Sequence, residues 1–170
     1  MTFRLLTATF RFGGERHGEA DRGERLPDSV LTWAAAADEH LAALVDCKAA
    51  SDGYTMSSDH LLRFVEYVEA ARPVLGEAGH QLRYLVVVSS EFPGRLGERH
   101  PFHARAAELR GRAGVELAYV RAVDLARLAA VVEGRELSPL QREQLDWRSA
   151  LDNGLVSAEH LEDMVPEEAS

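Results

Sequence analysis

Asp46-Cys47-Lys48 is the arrangement in this chain most able to do chemistry. In an extended strand, residues two apart share a face, so the carboxylate and the ammonium stand side by side while Cys47 points the other way, into the core. A second carboxylate, Asp28 in Leu26-Pro27-Asp28, lies 18 residues earlier, room for a strand, a turn and a return strand. Hydrolysis of a phosphodiester needs an in-line water, a divalent cation to stabilise charge on the phosphate, and a group that favours the hydroxide form of the water. Two carboxylates and a lysine can supply all three, and the Cys47 backbone carbonyl is a further hard ligand suited to magnesium. Asp-x-Lys alone is common, and Pro27-Asp28 reads equally well as an ordinary turn. A hairpin joining the two segments is what would turn separate residues into a site.

Other motifs carry less. His100-x-x-His103 has the look of a ligand pair but spans Pro101 at an expected helix start and has no third partner nearby, so a loop role is the better reading. Ser89-Ser90-Glu91 ends a strand and is placed to line a cleft, yet no Gly-x-Ser-x-Gly elbow supports a serine nucleophile. No Walker-type phosphate loop occurs.

The elements that must hold these residues are legible as hydrophobic patterns. Leu5 to Phe12 reads as a strand and Gly13 to Arg25 as loop. Ser29 to Ala37 is ambiguous between states, whereas Ala42 to Ala49 suits a strand entering a site, with Asp52-Gly53 as the turn after it. Ser57-Ser58-Asp59 caps a helix whose apolar residues Leu61, Leu62, Val65 and Val68 recur at helical spacing, and Pro73 is expected to close it near Arg72. Leu82 to Ser89 is a β-branched run typical of a strand covered on both faces. Phe102 to Arg112 reads as a helix ended by Gly114, and Val115 to Val120 as another strand, completing a βαβ unit. Asp124 to Glu133 looks helical. Ser138-Pro139-Leu140-Gln141 opens a further helix with a capping box, expected to run to about Asp152, and Ser157 to Met164 adds a short last one. The fold class is α/β, a central mixed sheet flanked by helices, organised as an N-terminal segment 1–25, a main domain 26–165 and a tail 166–170.

The chain has 170 residues, 46% of them hydrophobic, enough for one core without staples. Its one cysteine excludes an internal disulfide and a cysteine-built zinc site, and a reducing cytoplasm suits it. No signal peptide or stretch of roughly 20 apolar residues is present, so the expected localisation is cytoplasmic. The net charge of -9 argues against unaided grip on phosphates. Either another domain or partner delivers the chain to DNA, or a local basic face exists, for which Arg95, Arg99, Arg105, Arg110 and Arg112 are candidates; a solvated surface is their ordinary role.

The run Val45-Asp46-Cys47-Lys48-Ala49, then Gly53-Tyr54, then Asp59-x-x-x-Arg63-Phe64-Val65-Glu66, followed by Val86 to Ser90 with Phe92 and Gly94, resembles the FokI-type cleavage domain of type IIS restriction endonucleases, in the PD-(D/E)xK nuclease superfamily. The resemblance covers roughly Asp28 to Leu161. It implies a restriction-endonuclease-like fold and a magnesium-dependent endodeoxyribonuclease acting on double-stranded DNA, with manganese as the alternative ion. Asp28 and Asp46 match the metal-binding aspartates and Lys48 the lysine that supports attack by water. Asp59 and Arg63 match a pair that makes reciprocal salt bridges across a transient homodimer; a within-helix ion pair is the bland alternative. The resemblance also implies helices ahead of Pro27, for which 26 residues leave little room, and a DNA-recognition domain or subunit absent from this chain. A fragment, a subunit and a shortened product are alternatives. The competing functional reading is a non-catalytic dimerising interaction module derived from a nuclease fold.

Overall fold

The computed structural model describes residues 2–16, 27–49, 52–94, 97 and 99–165. Residues 17–25 of the expected loop, Arg95 and the tail 166–170 lie outside the described residues. The strands are β1 (Gly13–Arg16), β2 (Ser29–Ala36), β3 (Glu39–Lys48), β4 (Gln81–Ser89), β5 (Glu116–Arg121) and β6 (Leu155–Val156). They form one six-stranded sheet in sequence order. The β1–β2 and β2–β3 pairs are antiparallel and the rest parallel, so the sheet is mixed. The helices are α1 (Thr2–Phe10), α2 (Ser58–Glu77), α3 (Phe102–Ala113), α4 (Ala122–Gly134), α5 (Pro139–Glu143), α6 (Trp147–Asp152) and α7 (Ala158–Glu162).

Helices cover both faces. Leu41, Ala43 and Val45 of β3 join a core with Leu6 and Phe10 of α1, Leu128 of α4, Trp147 of α6 and Leu161 of α7. Ala42 and Leu44 face the other way, into a core with Leu61, Phe64 and Val68 of α2 and Leu109 of α3. Residues 41 to 45 are at most 1% exposed, and burial of each large aliphatic side chain contributes about 1.5 to 3 kcal/mol. The strand is therefore anchored on both sides up to Val45. By the same alternation, Asp46 and Lys48 emerge on the α2 face.

Several expected boundaries move. Leu5 to Phe12 is not a strand: Thr2–Phe10 is helical, and Leu6 and Phe10 point into the core one turn apart. Arg11 then takes a left-handed conformation (φ 61°), turning the chain so that Phe12 also packs inward and Gly13–Arg16 becomes an edge strand. A helix thus does precede the Pro27-Asp28 motif. Pro73 does not end α2, which continues to Glu77. Its ring is exposed on the outer side while Leu75 beyond it is buried, and that packing outweighs the hydrogen bond lost at proline. The helix expected from Pro139 to Asp152 is two: α5 keeps its capping box, the chain breaks at Gln144, and Asp146 caps α6 by accepting from the Ser149 amide at 3.0 Å. Glycine is required at 154, where φ is 72° and a Cβ would lie 2.7 Å from the Phe102 ring.

Candidate active site

The β2–β3 hairpin brings the two aspartates together. Ser29 pairs with Val45, so Asp28, one residue before β2, comes level with Asp46. Asp28 Oδ2 accepts a hydrogen bond from the Cys47 amide at 2.6 Å, which fixes its carboxylate to the strand that carries the other site residues. Pro27 is buried beside it and limits the backbone at the entry to β2. The turn reading of Pro27-Asp28 is therefore too modest: this residue is tied across the hairpin.

Asp46 is 5% exposed, and Lys48 Nζ lies 2.6 Å from its Oδ2. The contact is ionic, since no hydrogen bond of acceptable geometry reaches Oδ2, which is closed off from solvent. Burial raises the Asp46 pKa above its ordinary value; Lys48 opposes the rise and the charge of Asp28 adds to it. A buried carboxylate in this state costs free energy unless a cation joins it. The Lys48 ammonium in turn lies 5.6 Å from the centre of the Phe64 ring of α2. The buried Ser89 hydroxyl donates to the Lys48 carbonyl at 3.0 Å, pinning the end of β3 to β4. Ser89 thus serves the site through the backbone rather than as a nucleophile.

Cys47 differs from expectation. Its side chain is exposed rather than buried, at the end of β3 beside Thr2, the first residue of α1. Its backbone carries the interest: the amide is held by Asp28, and the carbonyl stands between the two functional side chains in sequence. The oxygen donors available to a divalent cation are the Asp28 and Asp46 carboxylates and this carbonyl. Among the described residues, no group of three or more His, Cys, Asp or Glu side chains converges into an all-side-chain metal site. Two carboxylates with an under-satisfied buried oxygen suit magnesium, which keeps several waters and binds through one or two carboxylates.

Asp59 and Arg63 lie on the exposed side of α2 beside Leu62, which is 48% exposed. No ion pair joins them among the described residues, so the within-helix alternative is not formed. Of the candidate basic residues, Arg105 meets Glu108 at 3.0 Å and Arg112 meets Glu108 at 3.1 Å, while Arg110 is bonded to Glu116. These three arginines already face carboxylates; Arg99 is exposed. His100 and His103 are loop struts, within 3.0 Å of the Pro93 and Gly97 carbonyls respectively.

Sequence reasoning missed His60 and Tyr67, which flank this site from α2, and the role of Tyr54 in holding His60. Burial raises the Tyr67 pKa, and the charge of Asp46 adds to it, placing that phenol within reach of the site's field. The available signal was spacing: His60, Phe64 and Tyr67 recur on one helical face that is polar at both ends.

A search of curated proteins found no match. Among solved structures, restriction endonuclease FokI matches with a TM-score of 0.62 and 18% identity, covering 90% of this chain and 26% of that one. FokI bound to DNA matches with a TM-score of 0.61 and 16% identity, covering 85% of this chain and 26% of that one. The chain therefore spans about a quarter of those structures, and at this identity the likeness is one of fold. The family profile described as the FokI cleavage domain matches residues 1–161, which includes α1 and the whole sheet. The chain belongs to the FokI cleavage-domain family.

Proposed function

We propose that the chain is a metal-dependent endodeoxyribonuclease that hydrolyses DNA phosphodiesters at Asp28, Asp46 and Lys48, in a restriction or defence setting. The observation that carries this reading is the buried Asp46 carboxylate, level with Asp28 across the hairpin, whose Oδ2 has an ammonium beside it but no aligned hydrogen bond. Asp28, Asp46 and the Cys47 carbonyl would hold magnesium, or manganese in its place. When bound, the cation supplies positive charge to polarise the phosphate and to favour deprotonation of water. Lys48 contributes an ammonium whose charge stabilises the attacking oxygen and the phosphate as negative charge develops. Asp46 orients that ammonium, Phe64 borders it, and Ser89 fixes the backbone that carries it.

The net charge of -9 and the paired arginines support delivery by a separate recognition domain or subunit. One such site hydrolyses one strand per visit, so a double-strand break calls for a second copy, and α2 with Asp59, Leu62 and Arg63 is the face proposed for transient homodimerisation. Cleavage of supercoiled plasmid, by the chain alone and fused to a sequence-neutral DNA-binding domain, tests the reading. Magnesium-dependent nicking and linearisation by the fusion, abolished by EDTA, is the expected result. No cleavage by either protein with magnesium or manganese would contradict it.

A further inference from the structure

The proposed chemistry leaves one histidine beside the site unused. His60 sits on the first turn of α2, where its backbone amide donates to the Ser57 hydroxyl at 3.2 Å, so the helix start fixes the base of its side chain. The imidazole stacks on Tyr54, with centroids 5.7 Å and planes 15° apart, and its Nδ1 lies 3.3 Å from the Tyr54 hydroxyl. Tyr54 is 5% exposed and packed edge-on against Phe92 and Tyr119. Burial, with Tyr119 and Asp46 adding, raises its pKa, so it remains an O–H donor. A phenol that donates to Nδ1 leaves the ring proton on Nε2. Among the described residues no protein group meets Nε2, although the residue is only half-buried.

One helical turn on, Phe64 carries the Lys48 ammonium at 5.6 Å from its ring centre. Residues four apart share a helix face, so the imidazole stands on the side of α2 that meets Lys48, whose charge acts on it. Burial first, then the charges of Lys48 and Arg63, push the His60 pKa down, with Asp59 opposing. The ring is neutral near pH 7 and sets no second positive charge beside the lysine. Packing on Tyr54 alone would be served by any flat apolar side chain; it does not require a polar contact at Nδ1.

We propose that His60 is a further substrate-contacting residue, its Nε2–H donating a hydrogen bond to a phosphate oxygen of the strand being cut, with Tyr54 as the positioning residue that selects the tautomer. This rests on the nuclease reading above. The test is single-turnover plasmid cleavage with magnesium by the full chain fused to the sequence-neutral DNA-binding domain described above, comparing wild type with His60→Ala, His60→Leu, His60→Gln and Tyr54→Phe. The magnesium-induced rise in Tm serves as a control for fold and metal binding. Loss of one hydrogen bond to a charged phosphate should slow His60→Ala and His60→Leu by about tenfold or more. His60→Gln, which keeps an N–H donor at similar reach, should recover most of the rate, and Tyr54→Phe should fall between, with the metal-induced Tm rise unchanged throughout. Wild-type rates in His60→Ala and His60→Leu, or equal losses in Ala, Leu and Gln variants, would overturn the proposal. If wild type itself fails to cleave, the nuclease reading falls and this inference with it, a result separable from a silent His60.

Discussion

The C-terminal ends of β3 and β5 each lead to a buried aspartate, and the two are treated very differently. Asp46 and Asp124 are both 5% exposed. Asp124, on the first turn of α4, accepts from Arg121 through both oxygens, at 2.7 and 3.1 Å, a bidentate pair that fills the carboxylate. Among the described residues, Asp46 has the single ammonium of Lys48, an oxygen with no aligned donor, a second carboxylate close by, and a pKa raised chiefly by burial. A carboxylate buried for architecture is given its counter-charge by the fold. One buried for chemistry is left partly unmet, and the deficit is what a divalent cation would fill.

Substitution separates the two most sharply. Asp46→Ala and Asp28→Ala should each abolish metal-dependent cleavage, a loss of about a thousandfold or more, with the fold intact by circular dichroism. Asp124→Asn should do the opposite, costing on the order of 3 kcal/mol of stability by stranding Arg121 while the cleavage rate per folded molecule holds. If Asp124→Asn were as inactive as Asp46→Ala while fully folded, the division between the two ends of the sheet would be wrong. Lys48→Ala comes next, expected to lose about a hundredfold in rate yet still show a magnesium-induced rise in Tm, because an ammonium is not a ligand. Loss of that rise would give Lys48 a different role.

Stability should report the same contrast. Saturating magnesium at about 100 times its Kd should stabilise wild type by about 2.7 kcal/mol and leave Asp46→Asn unchanged. In EDTA the sign reverses. With its pKa raised in the fold above the ordinary 3.8, Asp46 holds its proton in the folded state over a range where the unfolded chain has released it. Its contribution to stability is therefore greatest in acid and declines as pH rises through the folded value. Metal-free Asp46→Asn should thus gain on wild type in Tm as pH is raised toward 7, and thermal melts across that range would detect a trend in the wrong direction. The smallest effect concerns α2. Arg63→Asp or Asp59→Arg should leave nicking intact but lower double-strand cutting by about tenfold, and mixing the two variants should restore it. Equal linearisation by each variant alone would reduce the pair to exposed helix charges.

Much of this arrangement could be read from residues. The alternation in Ala42 to Lys48 correctly set Asp46 and Lys48 on one face, and the spacing to Asp28 anticipated a hairpin. The β-branched run in β4 marked a central strand, and Gly114 and Ser138 marked real helix ends. What failed depended on long-range packing. Leu5 to Phe12 is apolar enough for either state, and only the core offered to Leu6 and Phe10 makes it a helix. Pro73 breaks helices locally but not where Leu75 is held from beyond. Cys47 was expected inside because its strand parity points that way, yet it meets only the first residue of α1 and stays exposed. His60 and Tyr67 carried no motif, since their relation to the site arises from α2 crossing over the end of β3.

Calorimetric titration of manganese into metal-free wild type, Asp46→Asn and Asp124→Asn bears most directly on the claim that the under-satisfied aspartate is a cation site. Wild type and Asp124→Asn should bind with matching stoichiometry and affinity, and Asp46→Asn should show no binding in the same range. Binding by Asp46→Asn equal to that of wild type would contradict the account.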